Sequence, residues 1–306
     1  MATLTPPPSA PSSAPKYQPL AASSSLLRRR QLASKLFAFL CFSITLFSFF
    51  LLAWIMSGIF KQGIPYLSQK FLTSFPSRFA EQAGIKSALY GSVYVLCVTA
   101  IFSIPVGIGA AIFLQEYAQD NKFARFVQVN IANLAGVPSI VYGILGLALF
   151  VRALRFERSV LSGGLTLGLL VLPIIIISAQ EALRGVPNSL RHGSFALGAT
   201  KWQTIQRQTL PMAMPGILTG IILAISRAMG ETAPLIMMGA LTYVAFVPRG
   251  LKDGFTTLPI QVFNWTSRPQ AEFQAIAAAG IIVLMTVLLS LNALAIFLRY
   301  RYNSRL

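Results

Sequence analysis

Acidic residues are scarce in this chain: eight Asp and Glu stand against 25 Lys and Arg. There is one histidine, and the two cysteines, Cys41 and Cys97, both fall inside apolar runs. Free cysteine in such a setting behaves as a small hydrophobe. The sequence therefore offers no Cys–His pairing, no metal-ligand cluster and no nucleophile–base constellation, so neither a catalytic centre nor a bound metal is expected. No Gly-x4-Gly-Lys-Ser/Thr run occurs, which excludes ATP hydrolysis through a phosphate-cradling loop. Charge is low altogether, at 11% of residues, where soluble domains hold about 25%. An ordinary soluble globular domain is excluded as well.

What is present is hydrophobicity. Apolar residues make up 55% of the chain and the mean hydropathy is +0.67. Several uninterrupted apolar runs approach or exceed the roughly 20 residues that a spanning helix needs. The expected fold class is thus an all-α membrane protein in contact with lipid. The formal charge of +17 would point to a nucleic-acid partner in a soluble protein. Here the basic residues lie between apolar runs, where they set membrane orientation, and no nucleic-acid partner is expected.

Residues 1–34 open with Pro6, Pro7, Pro8, Pro11, Pro15 and Pro19 among Ser and Ala. Such a segment buries too little apolar surface to offset its ordering entropy and is expected to be a disordered tail. The apolar run Leu36–Phe60 follows Arg28, Arg29, Arg30 and Lys35. It is longer than the 7–15 residues of a secretory h-region, so it reads as an uncleaved first span, with an external loop completing the region 35–84. Five more spans fall at about 88–115, 126–154, 165–180, 213–238 and 275–297, within a main domain at 85–300. Six spans place both termini in the cytoplasm, and the basic clusters at the two ends agree. Pro105, Pro138, Pro173, Pro215 and Pro234 fall inside the spans, where a shape-changing pathway and the general frequency of membrane proline explain them equally well.

The fifth span carries Arg227 and Glu231 near its middle. An ionisable side chain at that depth costs roughly 2.5–3.5 kcal/mol on insertion scales. Taken as one helix, Gly216, Gly220, Ala224, Arg227 and Glu231 share a stripe about 80° wide. Gly216-x-x-x-Gly220 permits close approach of a neighbouring helix, with Ala224 extending the packing face. Arg227 and Glu231 should then face the bundle interior or a water-filled path. Two readings stand: a self-neutralising pair that locks helices, and an anion path in which the guanidinium grips an oxyanion bidentately.

The connection 181–212 accommodates two short helices. Asn188–Leu197 forms the first, with Gly198 as its stop. Thr200-x-x-Gln203 is a capping box that starts the second, and Leu210-Pro211 ends it. Phe195 and Leu197 make this elbow either a docking knob or an ordinary surface loop.

The spacing His192-Gly-Ser-x3-Gly198-x9-Gln208-Thr-Leu210-Pro211 resembles the EAA loop of binding-protein-dependent ABC transporter permeases. His192 and Gly193 stand where that loop carries Glu and Ala, and Gln208 where it carries Ile. Gly136-Val-Pro-Ser139-Ile-Val-Tyr-Gly143, Leu161-Ser-Gly-Gly-Leu-Thr-Leu, Leu197-Gly198-Ala199-Thr200-Lys-Trp-Gln-Thr204 and Arg227-Ala-Met-Gly-Glu231-Thr232-Ala-Pro234 are similar to phosphate ABC transporter permeases, the last most of all to the PstA subfamily. The resemblance covers about 85–300. It implies a type I importer (MetI-like) core in the bacterial inner membrane and an elbow, with His192, Phe195, Leu197, Gly198, Ala199, Thr200, Leu210 and Pro211, that couples to an ATPase. It also implies a substrate path carried by Arg227; Glu231, which either touches the anion or only steadies Arg227, and Thr232 and Ser139 are the further candidates for that path. The expected partners are a sister phosphate permease, a separate ATPase dimer that uses the ATP, and an external phosphate-binding protein; no cofactor is expected on this chain. A proton-coupled transporter using Glu231 and a purely structural membrane subunit are the rival readings.

Overall fold

The computed structural model describes residues 24–118, 122–240 and 243–303; most of the Pro-rich tail lies outside them. The chain divides into two compact units, Met1–Met56 and Ser57–Leu306. Helix α1 (Ser24–Gly63) supplies the first and runs on into the second. Residues 24–34, expected as tail, are instead helical. No proline falls between Pro19 and Pro65 to stop the helix. Phe37, Phe42, Phe47 and Phe50 of α1 are exposed, and a helix that is apolar all round is built to contact lipid or other apolar helices.

In the second unit a short helix α2 (Gln69–Thr73) precedes α3 (Lys86–Ile112), which ends in a π-turn, Phe113–Tyr117. Next come α4 (Lys122–Ala135), α5 (Ser139–Gly146) with its π-helical extension Leu147–Ala153, and α6 (Val160–Arg184). The elbow helices are α7 (Asn188–Ala196) and α8 (Lys201–Thr204), followed by a π-turn, Ile205–Thr209, and α9 (Leu210–Gly230). Helices α10 (Ala233–Met238), α11 (Leu258–Thr266) and α12 (Ala271–Asn303) complete the unit. Among the described residues five helices are long and apolar enough to cross a membrane, and the bent pair α4–α5 makes six if it is one span.

The third expected span is therefore not a single straight helix. Its two halves meet at 104°, because Pro138 cannot extend α4 and the residue before it is pushed out of helical geometry. The Tyr142 hydroxyl reaches back over this break and donates to the Leu134 carbonyl at 2.8 Å, satisfying one of the acceptors that a helix end leaves open. Leu210-Pro211 behaves in the opposite way. No stop occurs there, and the helix runs unbroken from Lys201 to Gly230. The Leu210 amide bonds back five residues to the Ile205 carbonyl, a π-turn that absorbs the hydrogen bond Pro211 cannot donate.

Helix α6 is the most buried of the spans and packs between α3 and α9. At Gly164 any Cβ would lie 2.5 Å from the Val98 side chain of α3. The buried Thr99 hydroxyl is 3.0 Å from the Gly164 carbonyl, so the close approach is also hydrogen-bonded. Residues 64–85 join this body: Phe71, Ala83 and Ile85 are buried, and the Phe71 ring packs 5.8 Å from that of Trp265. A second apolar cluster, including Ile112, Leu183, Ile205 and Ile217, fills the bundle end next to the elbow.

Candidate functional site

Helix α9 ends at Gly230, one residue before Glu231 of the expected stripe and short of the span expected to reach 238. Glu231 is extended (φ −76°, ψ 127°) and Thr232 precedes the first turn of α10. Glu231 thus leaves the helical stripe, because Pro234 at the start of α10 fits a helix beginning far better than a helix interior. The charges stay together all the same. Arg227 Nε donates to Glu231 Oε1 at 3.2 Å.

The two charges are not equivalent. The Glu231 side chain is 17% exposed and that of Arg227 44%. Glu231 lines a narrow cleft with Ser92, Leu167 and Thr257, and the buried Thr257 hydroxyl there has no hydrogen-bond partner among the described residues. Arg227 holds Glu231 through Nε alone, which leaves the terminal nitrogen pair unengaged among the described residues. Its position in the last turn of α9 is favourable for a cation, facing the negative end of the helix dipole.

The break at α9–α10 meets the break at α4–α5. A Cβ on Gly143 of α5 would lie 2.6 Å from the Pro234 carbonyl oxygen of α10, so these short helices are in backbone contact. Ser139 opens α5 and is half-buried. No hydrogen bond joins Ser139 or Thr232 to Arg227 among the described residues. Further back along the same stripe of α9, Gly216 and Gly220 face α6: Cβ atoms there would meet the Ala182 Cβ at 2.7 Å and the Ser178 Cβ at 2.4 Å. Ala224 is fully buried.

The elbow is built from local rules. Gly198 takes φ +80°, its amide bonds to the Phe195 carbonyl, and the Ala199 amide bonds to the Ser194 carbonyl, closing α7 in the left-handed turn that glycine favours. The Thr200 hydroxyl accepts from the Gln203 amide at 3.3 Å while the Gln203 side chain accepts from the Thr200 amide at 2.8 Å. Ser194 and Thr204 hydroxyls meet at 2.9 Å across the angle. Leu197 at the tip is 90% exposed, with Phe195 and Trp202 exposed beside it. His192 is exposed too, whereas Leu210 and Pro211 are half-buried where the elbow enters α9.

Sequence reasoning missed how the elbow is fastened. Arg191 Nη1 donates to the Val186 carbonyl at 2.7 Å and to Asn188 Oδ1 at 3.0 Å. Its Nη2 donates to the Leu183 carbonyl at 2.9 Å and to Glu116 Oε1 at 2.8 Å. The ammonium of Lys201 stands 5.0 Å from the ring centre of Tyr117. The signal available was topological: alternating spans put 116–125 and 181–212 on the same side.

An apolar bundle with a charged helix break in one place and an exposed elbow in another is the transmembrane part of a transport system. Residues 103–304 match the family described as binding-protein-dependent transport system inner membrane component, and the chain belongs to that family. Among its relatives is the phosphate transport system permease protein PstA 1 of Mycobacterium tuberculosis (strain ATCC 25618 / H37Rv), 35% identical over 227 residues, or 74% of this chain and 72% of that one. The phosphate transport system permease protein PstA of Haemophilus influenzae is 30% identical over 86% of this chain and 92% of its own. YqgI of Bacillus subtilis (strain 168), named a probable ABC transporter permease protein, is 34% identical over 80% and 89%. Of solved structures, a bacterial ABC transporter involved in import of the acidic polysaccharide alginate shares the fold with a TM-score of 0.64 at 17% identity, over 91% of this chain and 99% of that one. The MetNI methionine ABC transporter in an inward-facing conformation does so at 0.57 and 15% identity, over 70% and 93%.

Proposed function

We propose that this chain is a permease subunit of an ATP-driven importer of inorganic phosphate, forming half of the translocation path and docking a separate ATPase. The observation that carries the reading is the state of Arg227. Its charge is steadied by Glu231 through Nε, and its terminal nitrogens are left to meet an incoming oxyanion in the planar, bidentate geometry a guanidinium provides. Glu231 neutralises the site while the path is empty. Thr232 and Ser139 line the two helix breaks beside it. The names of the relatives support phosphate as the anion.

In this reading the α7–α8 elbow faces the cytoplasm together with both termini, in the inner membrane of a bacterium. Leu197 and Phe195 enter the ATPase surface, held in shape by Gly198, Ala199 and Thr200, while Leu210 and Pro211 join the elbow to α9. Gly216, Gly220 and Ala224 seat α9 on α6. A sister permease supplies the other half of the path and an external phosphate-binding protein delivers the ion. The chain itself holds no cofactor, and ATP is consumed by the partner. Alternating access follows from ATP-driven closure of the ATPases against the two elbows.

The test is reconstitution of the permease pair with its ATPases in vesicles, with phosphate and the binding protein on one side and ATP on the other. Phosphate movement that requires ATP is expected, and Arg227→Gln should abolish it while hydrolysis continues. Uptake that follows a proton gradient without ATP would overturn the reading.

A further inference from the structure

The elbow does more than expose an apolar tip: both of its helices clasp the end of α3. That end is the π-turn Phe113–Tyr117, and each of its last two residues meets one arm. Glu116 accepts from Arg191 of α7 at 2.8 Å, and the Tyr117 ring lies under Lys201 at the start of α8. Arg191 also donates to the Leu183 and Val186 carbonyls at the end of α6. One guanidinium therefore ties α7 to the end of α6 just before it and to the end of α3, 75 residues away in the sequence. Ile205, at the exit of α8, is fully buried in the apolar cluster shared with Ile112 and Leu183.

The pair is shielded, with side-chain exposures of 14% for Arg191 and 9% for Glu116. An exposed ion pair stretches at little cost because water replaces the partner. A shielded pair resists opening, since separation takes the Arg191 charge from the shielded Glu116 carboxylate and gives it little water in return. Beyond the clasp, α3 and α6 are locked at Gly164 and Thr99. A displacement applied at the elbow thus has a packed, hydrogen-bonded route into the two helices that flank the Glu231 cleft.

We propose that the Glu116–Arg191 pair is the link that passes elbow movement to α3 and α6, so that breaking it uncouples ATP hydrolysis from transport. Both are positioning residues; neither touches the anion. The proposal rests on the elbow being the ATPase docking point. In the same vesicles, phosphate moved per ATP hydrolysed is measured for Glu116→Ala and for Glu116→Gln, which keeps a side-chain oxygen as acceptor. Glu116→Ala is expected to purify with the ATPase and hydrolyse ATP normally, with the phosphate-to-ATP ratio about tenfold lower. Glu116→Gln should recover part of the ratio. An unchanged ratio in Glu116→Ala overturns the link, as does loss of the ATPase from both variants, which would make the pair a docking or folding element. If the wild-type complex itself moves no phosphate on ATP, the functional reading fails, and the link with it.

Discussion

Arg227 Nε and Glu231 Oε1 are 3.2 Å apart although the two residues no longer share a helix. The end of α9 falls between them, so the pair bridges a break in the helix. This geometry separates the duties of the guanidinium: one nitrogen is committed to Glu231, and the fork end stays available.

Substitution of Arg227 by Lys keeps the charge and removes the fork. Charge-assisted hydrogen bonds contribute roughly 1.5–3 kcal/mol each, so losing one of two to the passing anion should slow phosphate movement about 10- to 100-fold. Radiolabelled phosphate flux in vesicles checks this. Arg227→Lys transporting at the wild-type rate would eliminate the bidentate grip, since a point charge would then suffice.

Leu197 is a second test of division of labour. It contributes almost no buried surface, being 90% exposed, so Leu197→Ser should leave the thermal unfolding of the isolated chain within about 0.5 kcal/mol of wild type. Retention of the ATPase through purification should nevertheless fall sharply. Gly198→Val acts on the same elbow from the inside. Its φ of +80° is hostile to a β-branched side chain, costing roughly 1–2 kcal/mol, so here stability and ATPase retention should fall together. Equal ATPase retention by Leu197→Ser and wild type would remove the elbow tip from the docking surface.

How far the sequence could be read depended on how local each cause was. The spans, the Gly198 stop and the Thr200–Gln203 box were legible because each is fixed by neighbours within a turn or two. The prolines were not, because the same residue has several outcomes. Pro105, Pro173 and Pro215 remain inside helices, whereas Pro138 and Pro234 begin new ones. What separates them is tertiary. Tyr142 answers the carbonyl of Leu134, and Gly143 lets α10 come into contact beside the break. The Glu116–Arg191 pair was invisible for the same reason: its members lie 75 residues apart, and no local periodicity reports on such a contact.

That tertiary cause can be tested at Tyr142. Among the described residues its hydroxyl makes a single hydrogen bond, to Leu134 across the bent α4–α5 pair. Tyr142→Phe keeps the ring and leaves that carbonyl unanswered, at a cost of about 1 kcal/mol. A lowered unfolding temperature in detergent should be accompanied by easier proteolysis between α4 and α5. Unchanged cleavage there would mean that Pro138 alone maintains the bend.

Glycine spacing alone does not say which helix fills a small-residue notch, and paired substitutions decide it for α9. A methyl at Gly220 would lie 2.4 Å from the Ser178 Cβ of α6. The Ser178 hydroxyl can rotate away, but its Cβ moves only with the backbone, so Gly220→Ala must push α9 off α6. Overpacking of this kind costs roughly 1–3 kcal/mol. Gly109, in the interior of α3, has nothing within 4 Å of where its Cβ would stand. Gly109→Ala should stabilise the chain slightly, by about 0.4–1 kcal/mol, because alanine restricts the unfolded backbone. Thermal unfolding of the two variants side by side should therefore shift in opposite directions. A Gly220→Ala chain as stable as Gly109→Ala would mean that α9 is free to move relative to α6, and Arg227 would then lose the fixed support on which its grip depends.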